Sequence, residues 1–252
     1  MLVALLRAGF TARGFDIRPA AAFPGLPVTN DPALFASELK TLITVVRDAD
    51  QTDDVLFGAQ AFTQTPGLET IIISSTLSPR YTRALRARIP FQIALIDAPM
   101  SGAAIAATEG RLSFMLGGNP ADLDRLHTIF AAMGKHFHRM GDFGDGMAAK
   151  VLNNLLAASN TAMTRMVLDW ADAQGIDETR LLALIASSSG QNWFASGMHN
   201  IEFARDGHHP DNTIAILVKD VAAAMDAAPE CADLTLPLTI QSALKSLHPR
   251  RP

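Results

Sequence analysis

Two side chains set four apart make the most specific chemical suggestion in this sequence. Lys150 and Asn154, in "GDGMAAKVLNN", share one face of a helix. Their neighbours on that face, Gly146, Met147, Ala157 and Ala158, are small or apolar. A lysine there is either partly buried or one whose stem snorkels to water. In the first case desolvation favours the neutral amine, a usable general acid/base near neutral pH. Spacing leaves both open. A second stretch, "DAPMSGA" from Asp97 to Ala103, follows a β-rich run. A Ser-Gly turn at the carboxyl end of a parallel strand exposes backbone N–H groups and a hydroxyl, which suits a carboxylate. Taken alone it reads first as an ordinary turn. In the third, "LVKDVAAAMDAA", Lys219 and Asp220 interrupt an apolar helix; taken alone they read as a solvated edge.

The histidines add little. His136 and His138 put two side chains on one face of a strand, with no further ligand in view, so no metal is expected. "SSSGQNW" has no base at a recognisable offset, and no nucleophile elbow is present for Ser-His-Asp chemistry.

Those residues need a scaffold, and the first half supplies alternation. Short β-rich runs occur at Thr41–Arg47, Thr70–Thr76, Gln92–Asp97, Leu112–Gly117 and His136–Met140. Helical segments separate several of them, including Pro32–Leu39, Ser78–Arg88 and Pro120–Lys135. Alternation of this kind predicts a largely parallel, doubly wound sheet. "TIIISST" and "TLITVV" are apolar on both faces, as a sheet covered on both sides requires. From residue 141 the character changes. No breaker interrupts the chain between Gly146 and Gly175, which predicts a helix of roughly 28 residues, about 42 Å long. Small and apolar residues all around it predict burial on most sides. Only helical patterns follow, so residues 1–140 read as the α/β domain and 141–252 as an all-helical one.

With 252 residues, 48% hydrophobic and 18% charged, the chain suits one large or two modest globular domains. A net charge of −4 gives no reason to expect nucleic acid or an anionic membrane as partner. A single cysteine, Cys231, excludes an internal disulfide framework and fits a reducing cytoplasm. No apolar stretch is long enough to suggest a membrane span. The apolar start, Met1 to Leu6, lacks a basic lead-in and is interrupted at Arg7, so it is not read as a signal peptide.

Taken in order, four stretches resemble the β-hydroxyacid dehydrogenase family, which includes 3-hydroxyisobutyrate and L-threonate dehydrogenases and is related to 6-phosphogluconate dehydrogenase. "ISSTLSP" is similar to the family's Ser-Thr-x-Ser-Pro strand end, and "DAPMSG" to its substrate loop. "GDGMAAKVLNN" is similar to its Gly-x-Gly-x-x-x-Lys-x-x-x-Asn helix, and "LVKD" to its late Lys-Asp pair. The resemblance runs from about Met1 to about Leu247. It implies a Rossmann-type domain, an all-helical domain and a long helix at their junction. It also implies hydride transfer between NAD or NADP and a small hydroxy acid, in a homodimer. Lys150 would be the acid/base; Ser101 and Gly102 would hold the substrate carboxylate, with Asn154 orienting the substrate. Thr76 and Lys219 would border the nicotinamide. Asp16 would take the adenosine ribose hydroxyls, favouring NAD, a preference that nearby Arg18 weakens.

This sequence departs from the family pattern most clearly at its start. The fingerprint G-x-G-x-x-G belongs about 20 residues before the acid, and counting back from Asp16 runs past Met1. On that reading "LVALLRAG" is the family's first helix, and the sheet is a truncated one without its central strand. The third glycine of the substrate loop is Ala103, and the aspartate usual before the Ser-Thr strand end is Ile73. Two functions follow: an oxidoreductase, or a cofactor-deficient, non-catalytic member serving in dimerisation or ligand binding.

Overall fold

The computed structural model describes residues 1–250. It divides into two compact units, Met1–Lys150 and Val151–Pro252.

The first unit alternates as the sequence predicts. Helix α1 (Leu2–Arg7) is followed by strands β1 (Gly14–Phe15) and β2 (Val28–Thr29), then α2 (Pro32–Ala36) and β3 (Thr41–Thr44). Next come α3 (Ala49–Leu56), β4 (Thr70–Ile73), α4 (Pro79–Arg88) and β5 (Ala94–Asp97). Strand β6 (Met100–Ser101), α5 (Ala103–Glu109), β7 (Leu112–Gly117), α6 (Pro120–Arg125), α7 (His127–Met133) and β8 (Gly134–Gly141) complete the series. Instead of one helix from Pro120 to Lys135, two short helices meet at Leu126.

Strands β3, β4 and β5 pair in parallel, in that order, and β7 continues the sheet antiparallel to β5 and β6 and parallel to β8. Strands β1 and β2 pair in parallel as a separate two-stranded sheet. In a doubly wound dinucleotide fold the spatial order is 3-2-1-4-5-6. Here β1 and β2 lie in one sheet and β3, β4 and β5 in another, with no strand paired between them among the described residues.

Period-two alternation assigns the sheet residues to two cores. Ile72 and Ile96 face a cluster covered by Ala4, Leu5, Ala106, Leu123, Leu126, Phe130 and Met133. Ile71, Ile73 and Leu95 face the other side, against Phe35, Leu56, Phe62, Leu85 and Met147. A fully buried isoleucine contributes about 1.5–3 kcal/mol, so the run Ile71–Ile73, wholly buried, anchors both layers. Phe15 of the small sheet joins Phe35 and Phe62 at ring-centroid distances of 5.7 and 5.4 Å, tying β1 to the second core.

Helix α8 (Asp145–Ala173) has 29 residues and begins in the first unit. The second unit adds α9 (Glu178–Ala186), α10 (Trp193–Gly197), α11 (Thr213–Asp226) and α12 (Thr235–Lys245). Ala158 and Ala162 of α8 pack with Ile214, Leu217 and Val221 of α11 and with Ile240 and Leu244 of α12. Further on, Leu168 packs with Leu182, Phe194 and Met198. Burial on most sides of α8 is not what is found. Leu152, Leu156, Met163, Met166 and Trp170 are exposed. At 100° per residue these five fall within about 80° of one another, roughly opposite Lys150 and Asn154. A mixture of alanines and larger apolar residues hid this asymmetry in the sequence. Among the described residues no helix is long and apolar enough to cross a membrane.

Candidate active site

The start of α8 collects the sequence motifs of the first unit. Asp97, the last residue of β5 and fully buried, accepts N–H groups of Gly144 (2.7 Å) and Met147 (2.5 Å). The Leu77 N–H, one residue past Thr76, donates to Met147 Sδ at 3.3 Å. The first turn of this helix is thus fastened to the ends of β4 and β5, three residues before Lys150. Lys150 is 6% exposed, which decides against a stem running out to solvent. Burial of this kind is what the acid/base reading requires.

Two glycines of "GDGM" have steric causes. Gly144 has φ +99° and its α-carbon faces the Arg83 side chain. A Cβ on Gly146 would stand 2.5 Å from the Met115 carbonyl oxygen and 2.9 Å from both Asp97 Oδ2 and the Gly117 nitrogen. Alanine in place of a helical glycine ordinarily stabilises by about 0.5–1 kcal/mol. Here two of the three obstacles are backbone, and overpacking costs about 1–3 kcal/mol. Gly146→Ala is therefore expected to lower the unfolding free energy, as read by urea denaturation; a stabilised variant would contradict this packing.

The serine-rich strand end divides its labour. Ser75 Oγ accepts the Val46 N–H at 2.8 Å, joining the ends of β3 and β4. Ser78 caps α4, accepting from Arg80 and Tyr81, with Pro79 in the first turn. These two hydroxyls are structural. In the stretch from Asp97 to Gly102, Ser101 lies in β6, opposite Ser113 of β7, so it is held by strand pairing and not by the open turn that the sequence suggests. Gly102 has φ +134°, and a Cβ there would meet Ala106 Cβ at 2.6 Å. Only glycine lets the chain leave β6 into α5 at this point.

At the end of β1, Asp16 is bound by Arg18. Its Oδ1 accepts from the Arg18 backbone N–H (2.9 Å) and Nε (3.0 Å), and its Oδ2 pairs with Nη2 at 3.0 Å. These bonds hold the carboxyl below its usual range. The guanidinium also covers the Phe23 ring at 4.6 Å. An exposed pair of this kind contributes little to stability, so a ligand hydroxyl or phosphate can displace it at small cost. At the ends of β3 and β4, Thr44 Oγ1 and Ser74 Oγ are buried without a hydrogen-bond partner. Open α/β sheets bind ligands outside the carboxyl ends of their strands, and residues with such unmet hydrogen bonds fit a dinucleotide placed there.

In the second unit, Asn154 Nδ2 donates to Asp220 Oδ2 at 2.6 Å, and the Asn153 amide donates to Asn154 Oδ1 at 3.3 Å. Lys219 Nζ stands 2.8 Å from Asp220 Oδ1. Asp220 is 2% exposed, so the pair is no solvated edge. Sequence reasoning gave roles to Asn154 and Lys219 and missed the buried carboxylate between them. Asp97 was missed as well. In both cases the partner is far away along the chain.

Parallel α/β layers with hydrogen-bonding side chains at the strand ends, followed by a helical unit, define a class: a dinucleotide-binding domain with a helical companion. Residues 1–153 match the family described as the NAD binding domain of 6-phosphogluconate dehydrogenase. Residues 144–247 match the NAD-binding family of NADP-dependent 3-hydroxyisobutyrate dehydrogenase. The chain is 32% identical over 234 residues to L-threonate dehydrogenase of Cupriavidus necator, covering 89% of this chain and 77% of that protein. It is 30% identical over 244 residues to 2-hydroxy-3-oxopropionate reductase of Escherichia coli, covering 95% and 83%. A solved 3-hydroxyisobutyrate dehydrogenase from Salmonella typhimurium aligns at a TM-score of 0.80 with 25% identity, over 96% of this chain and 87% of that one. The chain belongs to the β-hydroxyacid dehydrogenase family, whose members are NAD(P)-dependent oxidoreductases.

Proposed function

We propose that this chain oxidises a three- or four-carbon hydroxy acid, 3-hydroxyisobutyrate-like or L-threonate-like, with Lys150 as the acid/base at the substrate hydroxyl. The observation that carries this reading is a buried lysine one turn beyond a helix start pinned to the strand ends that lead to Thr76 and to the Ser101–Gly102 turn. The Lys150 amine takes the hydroxyl proton as the carbon becomes a carbonyl carbon, and returns it in the reverse direction. Ser101 Oγ donates to the substrate carboxylate, and Gly102, lacking a Cβ, lets the backbone approach it. The family likeness alone assigns Asn154 to orienting the substrate, and Thr76 and Lys219 to the nicotinamide end. A bound nicotinamide supplies the hydride acceptor. Asp16 meets the adenosine ribose hydroxyls, which favours NAD, while Arg18 offers a cation to a 2′-phosphate and narrows that preference. The setting is the cytoplasm, which suits the exposed thiol of Cys231.

A panel of 3-hydroxyisobutyrate, L-threonate, L-serine and other short hydroxy acids, each with NAD and NADP, tests this. At least one acid is expected to reduce the nicotinamide, and its analogue lacking the hydroxyl is not. No reduction with any member rejects the reading.

The exposed stripe of α8 supports a homodimer. Leu152, Leu156, Met163 and Trp170 form one narrow apolar band, of a kind that marks an interaction surface. Leu156→Glu together with Trp170→Glu is expected to convert a dimer to a monomer in sedimentation equilibrium. A wild-type monomer, or a dimer that survives both changes, contradicts this.

A further inference from the structure

We infer that Asp97 is a positioning residue for Lys150: through the N–H groups of Gly144 and Met147, its carboxylate fixes where the first turn of α8 stands relative to the Ser101–Gly102 turn. The catalytic consequence rests on the function proposed above; the anchoring does not.

Both oxygens are engaged, Oδ1 by Gly144 and Oδ2 by Met147. Both partners are backbone amides. Burial pushes the carboxyl up to about 6, against the pull of those hydrogen bonds. Burying a carboxylate is a costly way to fill space, and the surroundings are shaped to admit this one. A Cβ on Gly117 would overlap Oδ1, and one on Gly146 would stand 2.9 Å from Oδ2. An asparagine has one acceptor oxygen where this site uses two.

Position makes the anchor more than a helix cap. Asp97 ends β5, and four residues later the same chain forms Ser101. Met147 precedes Lys150 by three residues, within one helical turn. One side chain therefore sets the relation between the turn given to the substrate carboxylate and the helix that carries the amine. Misplacement by about 1 Å can cost about 10²-fold in rate.

The test is Asp97→Asn in the full chain, which places an amide NH₂ against a backbone N–H. The chain has five lysines, at positions 40, 135, 150, 219 and 245. Acetic anhydride footprinting read by mass spectrometry reports on each of them without requiring activity. Lys150 is expected to acetylate at least about tenfold faster, with the other four within about twofold, since local opening exposes only the groups it contains. An unchanged Lys150, or all five rising together, overturns the inference. In turnover, kcat is expected to fall at least about tenfold with KM within about threefold, the pattern of a misplaced catalytic group. An unchanged kcat beside a faster Lys150 footprint overturns the positioning role.

Should the variant not fold, wild-type amide protection decides. The charge of Asp145, which Arg83 pairs at 2.9 Å, also acts on Asp97 and raises its carboxyl further. Opening this turn to water returns the carboxyl to its usual range, so the closed turn binds the extra proton and gains as pH falls through about 6. The protection factor of Gly144 or Met147 is expected to be about tenfold higher at about pH 5 than at about pH 8. Equal protection at both overturns the anchor. The two readings fail separately: turnover by Lys150→Ala removes the proposed function and leaves the footprint and protection results standing.

Discussion

Lys150→Ala lowers turnover by about 10²–10⁴-fold, the range that a positioned acid/base contributes, while the chain still unfolds cooperatively. KM for the hydroxy acid is expected to change little, because the carboxylate contacts proposed at Ser101 and Gly102 do not involve the amine. Lys150→Met, which keeps the apolar stem, is expected to lose as much rate with less effect on stability. That separates the amine from the packing of its methylenes. Two alternatives predict otherwise. A lysine that only fills space would show in stability and not in kcat. One that binds the carboxylate would show in KM. Turnover near the wild-type level in both variants removes the amine from the chemistry.

The second large effect is on stability. Arg165 is buried in the second unit, and its Nη1 donates to the carbonyls of Ala204 (2.9 Å) and Asp206 (2.8 Å). Its Nη2 donates to the carbonyl of His248 at 2.5 Å. One guanidinium therefore fastens the segment after α10 and the chain after α12 to α8. Arg165→Met keeps the stem and strands three carbonyls, each costing about 1–3 kcal/mol if left unpaired. Removing a buried charge returns part of that, and a net loss of about 3 kcal/mol is expected. Trp170 and Trp193 are the chain's only tryptophans, and both belong to the second unit, so their fluorescence follows this unit's unfolding. The urea midpoint should drop by about 1–3 M for slopes of about 1–3 kcal/mol per M. A shift within error would mean that water or relaxation replaces the guanidinium.

How much of this was legible in the sequence depends on the range of the interaction. Runs such as Thr70–Ile73 carry their strand and two-sided burial in three consecutive isoleucines, and the sheet alternates them between its two cores. Helix α8 was legible because nothing breaks it, and Lys150 because four-residue spacing defines a face. Asp97 was not. Its partners are 47 and 50 residues away, and the local text "LIDAP" reads only as a strand end. Asp220 failed for the same reason: in "LVKDVAAA" a charged pair looks solvated until Asn154, 66 residues earlier, is brought against it. Arg250 likewise gave no sequence signal as the partner of Asp169, Asp172 and Glu178. The exposed stripe on α8 could have been found by plotting residues 152, 156, 163 and 170 on a helical wheel; its average hydrophobicity conceals it.

The whole account stands on a single amine meeting the hydroxyl of a molecule whose carboxylate rests on the chain turn just beyond β6. A crystal structure of the chain with a bound short hydroxy acid reads this directly. The account predicts the substrate hydroxyl within hydrogen-bond distance of Lys150 Nζ, with the carboxylate on Ser101 and Gly102. An acid bound elsewhere, or held with its hydroxyl turned away from that nitrogen, would contradict it.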